Sequence, residues 1–156
     1  MIGLPGDLAA ENATAGLSST FSFPTRQRVC PAEQEIRELA DLLNNAKKVT
    51  LYCGIGAKDA HPELVQLAKL LNAPVAYSFK GKMEIQYDNP NEVGMTGLLG
   101  MPSGYYSMHE AEVLVLLGTD FPYEAFMPES NTIVQVDINP NRLGLVPRYK
   151  WGFVAM

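Results

Sequence analysis

Four short apolar runs constrain this chain more than any other feature: "VTLYC" (Val49 to Cys53), "PVAYS" (Pro74 to Ser78), "VLVLL" (Val113 to Leu117) and "TIVQVDI" (Thr132 to Ile138). They are rich in β-branched residues and continuous rather than alternating, the pattern of strands buried on both faces. Such strands need helices on either side, and helical patterns lie between them. "PAEQEIRELADLLNNAKK" sets Ile36, Leu39, Ala40 and Leu43 at i, i+3, i+4 and i+7, with Pro31 suited to a first turn and acids early. That spacing predicts an amphipathic helix of about three turns. His61 to Leu71 carries Leu64, Val65, Leu67, Ala68 and Leu71 on one side, and "NAP" stops it. Strand, helix and strand within about 30 residues predict a right-handed βαβ unit in a parallel sheet.

Composition narrows the class. With 156 residues, 47% hydrophobic and 19% charged, the chain suits one globular domain around a single core. A net charge of -5 argues against a surface for nucleic acid or anionic lipid, which needs clustered Lys and Arg. No apolar run approaches the roughly 20 residues of a membrane span, and the first residues do not read as a secretory signal. A soluble, cytoplasmic protein is expected. Cys30 and Cys53 cannot build a CxxC zinc site or a disulfide framework, and both read as ordinary, partly buried side chains. The stretch before Pro31 scatters Gly, Pro, Ser, Thr and Ala without period, so it reads as a linker in which no element is predicted.

Parallel α/β sheets bind ligands at the carboxyl ends of their strands. The residues after each run are therefore the candidates: Gly54-Ile55-Gly56, "FKGK" (Phe79 to Lys82), "GMTGLLG" (Gly94 to Gly100), "GTDFPY" (Gly118 to Tyr123) and Asp137-Ile138-Asn139-Pro140. Glycines there let backbone N–H groups approach a pyrophosphate, and a late acid suits a ribose hydroxyl or base amino group. Together they read as a dinucleotide cradle. Singly, each has a plainer reading. The third glycine of GxGxxG falls on Asp59, and the second run ends in Phe79 and Lys80 instead of an acid. "GTDFPY" also suits a strand end with a proline turn, and Asp137 suits a cap of the turn that follows. His61 reads as a helix-start or solvent residue, His109 as structural, and Tyr105, Tyr106 and Met108 as packing. No catalytic pair and no metal-ligand set is identified.

In order, "LYCGIGA", "KGK", "YDNP", "GMTGL", "LLGTDFPY" and "VDINP" resemble the central domain of thiamine-diphosphate-dependent enzymes over about Pro31 to Gly144. Within that family they resemble the pyruvate oxidase branch, which includes quinone-linked pyruvate dehydrogenases. "GLPGDLAAENA" resembles the tail of the preceding pyrimidine-binding domain. The resemblance implies linker and tail over 1–30 and a central FAD-binding domain over 31–156, a fragment of a larger enzyme. It implies an α/β fold, a six-stranded parallel sheet flanked by helices, Rossmann-like and of the DHS-like NAD/FAD-binding kind. FAD contacts would fall on Thr96, Gly97, Leu98 and Leu99, on Thr119, Asp120, Phe121, Pro122 and Tyr123, and on Asp137, with Gly54 and Gly56 near the pyrophosphate.

For the parent enzyme the resemblance implies oxidative decarboxylation of pyruvate, with electrons passing to FAD and then to a quinone or oxygen. Thiamine diphosphate and Mg2+ would be held by neighbouring thiamine-binding domains of a homotetramer, cytoplasmic and peripheral at the inner membrane. The GDG…NN thiamine motif and the family's catalytic glutamate are not in this stretch, so the piece alone is expected to be inactive. Three alternatives stand: the central domain of acetolactate synthase, which also carries FAD; a cofactor-free structural central domain; and an NAD-dependent deacylase core, which the missing zinc cysteines oppose.

Overall fold

A computed structural model describes residues 5–12, 29–119, 123–145 and 149–154. In chain order its elements are α1 (Gly6–Ala9), α2 (Glu33–Asn45), β1 (Val49–Cys53), α3 (His61–Leu71), β2 (Val75–Tyr77), α4 (Lys82–Ile85), β3 (Glu92–Met95), α5 (Pro102–His109), β4 (Val113–Leu117), β5 (Thr132–Asp137) and β6 (Tyr149–Val154). All strand pairings are parallel. The sheet order is β3-β2-β1-β4-β5-β6, with β6 at the β5 edge. From β1 the chain steps outward through β2 to β3, returns to the other side of β1 as β4, and steps outward again. The strand order therefore reverses between β1 and β4, where doubly wound sheets form their ligand crevice.

Alternation along the strands feeds two cores. Val49, Leu51 and Cys53 of β1 face Leu43 of α2, Leu64 and Ala68 of α3 and Ile85 of α4, with Val75, Val113, Val115 and Val134 beside them. On the other face Tyr52, Ala76, Leu114, Leu116 and Ile133 pack against Met108 of α5 and Met127. Helices thus cover both faces, which is why the runs do not alternate apolar with polar positions. Thr50 is the polar exception on β1: it is buried, and its hydroxyl donates to the Ser107 carbonyl at 2.6 Å, tying strand to helix.

Several expectations are corrected by packing. The short helix α1 lies where no element was predicted. Ile36 is 51% exposed, so the buried stripe of α2 is narrower than its period implied, with Leu43 as its buried residue. The glutamate at the third position of α2 closes its start: Glu35 Oε2 accepts the Ala32 N–H at 2.7 Å. The two cysteines part company, Cys30 exposed and Cys53 buried. His61 is buried rather than solvent-facing, because its ring stacks on Tyr87 at 4.0 Å. Pro74, Ser78 and Ile138 fall outside their strands. Strand β3 carries no apolar run; its register shifts against β2, and Gly94 sits at φ +101°.

Candidate functional site

The carboxyl edge of the sheet gathers the sequence candidates. Beyond the strand ends, Ile55, Phe79, Leu98, Leu99, Tyr123 and Ile138 are all exposed. An apolar side chain after each of five successive strands makes an exposed rim, at which Tyr123 also meets Phe126 edge to face. Single exposed apolar residues are ordinary, whereas a row of them along one edge marks a contact surface.

At the switch point the glycines have a structural purpose of their own. Gly54 N–H donates to the Leu117 carbonyl at 2.9 Å and Gly56 N–H to the Gly118 carbonyl at 3.0 Å. These two donors are committed to the β4 end, so they are not free to cradle a pyrophosphate. A Cβ on Gly54 would lie 2.3 Å from the Gly118 oxygen, and one on Gly118, itself at φ +56°, 2.6 Å from the Gly56 carbonyl carbon. The crevice between β1 and β4 is thus closed by backbone packed on backbone, and glycine is the residue that permits it.

The loop from Thr96 to Gly100 opens a cleft instead. Its volume is about 240 Å³, and it is lined by Thr96, Gly97, Gly100, Met101 and Pro102 together with Tyr105, Tyr106 and Phe126. Gly97 adopts φ +117°, Gly100 N–H bonds back to the Gly97 carbonyl at 2.9 Å, and this tight turn pushes Leu98 and Leu99 outward, 72% and 71% exposed. Thr96 is buried, and its hydroxyl has no hydrogen-bond partner among the described residues. An orphaned buried hydroxyl is uncommon and calls for an explanation.

The far wall comes from residues whose site role sequence reasoning missed. His109 Nε2 lies 3.2 Å from the Phe126 carbonyl oxygen, and the His109 ring lies against Tyr105 at 4.0 Å between centroids, tilted by 31°. Tyr105 and Tyr123 each meet Phe126 edge to face. Met108 is wholly buried packing, as expected, while Tyr106 is 60% exposed at the cleft. The clustering of aromatic residues and histidine in "GYYSMH" was the available signal.

Asp137 is buried at the end of β5, and its Oδ1 accepts the Asn139 N–H at 2.8 Å. One carboxylate oxygen therefore makes the turn cap that the sequence allowed. Thr119 is buried and Tyr123 exposed; Asp120, Phe121 and Pro122 lie outside the described residues. Thr96 and Gly97 share the cleft, whereas Gly54, Gly56 and Asp137 do not line it.

The edge offers little acid–base chemistry. Burial pushes the Cys53 thiol up to about 12. Burial also raises the Tyr52 phenol, and burial together with its hydrogen bond to Glu92 raises Tyr77. All three stay protonated at neutral pH, which suits packing and not nucleophilic attack. Among the described residues no cluster of His, Cys, Asp and Glu is placed to hold a metal ion, and no helix is long and apolar enough to cross a membrane.

Comparison with known proteins agrees with this architecture. The family described as thiamine pyrophosphate enzyme, central domain, matches residues 36–155. An uncharacterized 42.6 kDa protein of Pseudomonas amyloderamosa is 45% identical over 97% of this chain and 39% of its own length. Acetolactate synthase isozyme 1 large subunit of Escherichia coli is 31% identical over 74% of this chain and 21% of its own. Pyruvate oxidase of Lactiplantibacillus plantarum is 28% identical over 92% of this chain and 25% of its own. The chain thus spans 39% or less of the length of these relatives. An X-ray structure from Mycobacterium smegmatis, of a protein assigned to the thiamin diphosphate-dependent enzymes, superposes with a TM-score of 0.67 at 23% identity, covering 88% of this chain and 28% of that one. With its parallel sheet, its helices on both faces and a family match over most of its length, the chain belongs to the thiamine pyrophosphate enzymes, as their central domain.

Proposed function

We propose that this domain holds FAD along the carboxyl edge of its sheet, for a thiamine-diphosphate-dependent enzyme of the pyruvate oxidase kind. The observation that carries the reading is the exposed apolar rim at Ile55, Phe79, Leu98, Tyr123 and Ile138, which follows the same strand ends as the motifs. The unpartnered Thr96 hydroxyl beside the cleft adds a polar group that a ligand would satisfy. FAD, when bound, supplies an electron acceptor for a decarboxylated substrate; the domain's own residues bind and orient it. Thr96 to Leu99 and Thr119 to Tyr123 contact its middle and ring, and Asp137 its adenosine end. Gly54 and Gly56 shape the floor through the β4 contact instead of bonding the pyrophosphate. Thiamine diphosphate, Mg2+ and pyruvate belong to neighbouring domains of a cytoplasmic homotetramer. The similarity to acetolactate synthase, 31% against 28% for pyruvate oxidase, favours a second reading in which the same FAD site serves a carboligating enzyme.

The test uses Asp137→Asn, which keeps an oxygen to accept the Asn139 N–H while removing the charge. Titrated with FAD, the variant should bind about 1.5–3 kcal/mol more weakly than wild type, the range for a hydrogen bond to a charged group. FMN lacks the adenosine, so its affinity should not change. Equal affinity of variant and wild type for FAD would return Asp137 to turn capping alone, and absence of FAD binding by the wild-type chain would remove the reading.

A further inference from the structure

Methionine sulfur can take up oxygen from a peroxide, and the fold sorts the methionines by how open they are to it. Among the described residues Met83 and Met101 are 79% and 56% exposed, whereas Met108 and Met127 are buried and Met95 packs against the first core. Of the two exposed ones, Met101 alone lines the cleft. Its main chain is fixed on both sides, the N–H donating to the Met95 carbonyl at 2.7 Å and the carbonyl accepting the Tyr105 N–H at 3.2 Å. Its Sδ is backed by Gly94, where a Cβ would come within 3.2 Å of the sulfur. The side chain thus bridges β3 and the cleft, and an atom added to the sulfur has its room on the cleft side.

A thioether is a weak acceptor, whereas a sulfoxide is polar and carries an acceptor oxygen. Thr96, on the same lining, has a buried hydroxyl with no hydrogen-bond partner among the described residues. We propose that Met101 is an oxidation switch, whose sulfoxide takes the Thr96 hydroxyl for itself and closes the cleft to ligand. The switch rests on the FAD reading for the identity of that ligand and not for the oxidation. Hydrogen peroxide is the oxidant: the sulfur lone pair attacks one peroxide oxygen, the S–O bond forms as the O–O bond breaks, and the second oxygen leaves as water after proton transfer. Sulfur gives up the two electrons that the peroxide gains.

The experiment treats the wild-type chain, Met101→Leu and Met83→Leu with hydrogen peroxide, locates the oxidised methionines by peptide mass spectrometry, and titrates each protein with FAD before and after. Leucine is close to methionine in volume and has no sulfur. Met101 and Met83 should oxidise before Met108 and Met127, and saturating FAD should slow Met101 but not Met83. Oxidation should weaken FAD binding about three- to tenfold in wild type and Met83→Leu, the worth of one hydrogen bond, and methionine sulfoxide reductases should restore it. Met101→Leu should bind FAD after treatment as it did before. Met101 oxidising no faster than Met108, or an equal loss in Met101→Leu, overturns the proposal. NMR of the tyrosine rings reads the cleft without ligand: Tyr105 and Tyr106 should shift on oxidation in wild type and not in Met101→Leu, and unshifted rings in wild type overturn the switch as well. Those shifts without FAD binding by the untreated chain keep the switch and remove the FAD reading. FAD binding that survives Met101 oxidation removes the switch and leaves the FAD reading standing.

Discussion

Gly54 and Gly118 show at the residue scale a second reason for a glycine after a strand. Glycines after a strand were legible; their reason, two loops in backbone contact, depends on a neighbour more than 60 residues away and cannot be read locally. Gly54→Ala places a methyl group 2.3 Å from a backbone oxygen, which a rotamer change cannot relieve. It should destabilise by about 1–3 kcal/mol, the usual cost of overpacking, in a thermal melt where Gly6→Ala, with nothing within 4 Å, serves as the neutral control. Cys53 gives a second prediction. Exposed Cys30 should react with a thiol reagent in the native protein, and buried Cys53 only after unfolding. The Cys53 thiol ionises at about 12 folded against 9.0 ordinarily, so the unfolded chain releases this proton first. Its contribution to stability is full below pH 9 and is lost as pH climbs through the folded value near 12; urea midpoints should fall across that window, and less steeply in Cys53→Ala.

At the element scale the helices and strands with strong periodicity needed little tertiary information. β1, α3 and β4 fall on the expected residues because their apolar spacing and their burial demand the same structure. The exceptions are short elements held from outside. β3 is one, since its pairing with β2 supplies what its composition does not. The end of α5 is another: Asn131, buried just before β5, donates its amide to the Met108 carbonyl at 2.9 Å and also to the Ala111 carbonyl. The Met108 carbonyl lies in the last turn of α5, where carbonyls have no intrahelical partner, and Ala111 follows just after the helix ends. Asn131→Ala should therefore cost about 2–3 kcal/mol, the upper part of the range for an orphaned buried polar group, read from urea denaturation. Asn131→Asp should cost more at neutral pH, because a carboxylate would face the same carbonyl oxygens.

For the whole molecule the notable property is the exposed apolar rim at the carboxyl end of the sheet. At the carboxyl end the rim residues project into open space, Phe79 at 67% and Leu99 at 71% exposure. Phe79 and Leu99 belong to neither buried core, so Phe79→Ser and Leu99→Ser should leave stability within about 0.5 kcal/mol. If this rim receives FAD, the same substitutions should weaken FAD binding, measured by titration against the unaltered chain. Unchanged binding in both would move the ligand away from this edge. Apolar surface stabilises a complex by about 25 cal/mol per Å² removed from water, so a ring covered on one side only is held weakly, and the chain alone should bind FAD less tightly than a relative-length protein that encloses it.

By itself the sequence determined the layer architecture, because continuous β-branched runs separated by amphipathic helices have few ways to bury both strand faces. It also determined where candidate ligand residues must lie, since strand polarity puts every loop after a run on one edge. Only the tertiary structure decided which of those residues remain available. Gly54 and Gly56 spend their N–H groups on β4, Asp137 spends one oxygen on Asn139, and His109 joins α5 to Phe126. Each is a contact between atoms whose approach follows from strand order and loop path, and local periodicity carries no record of either.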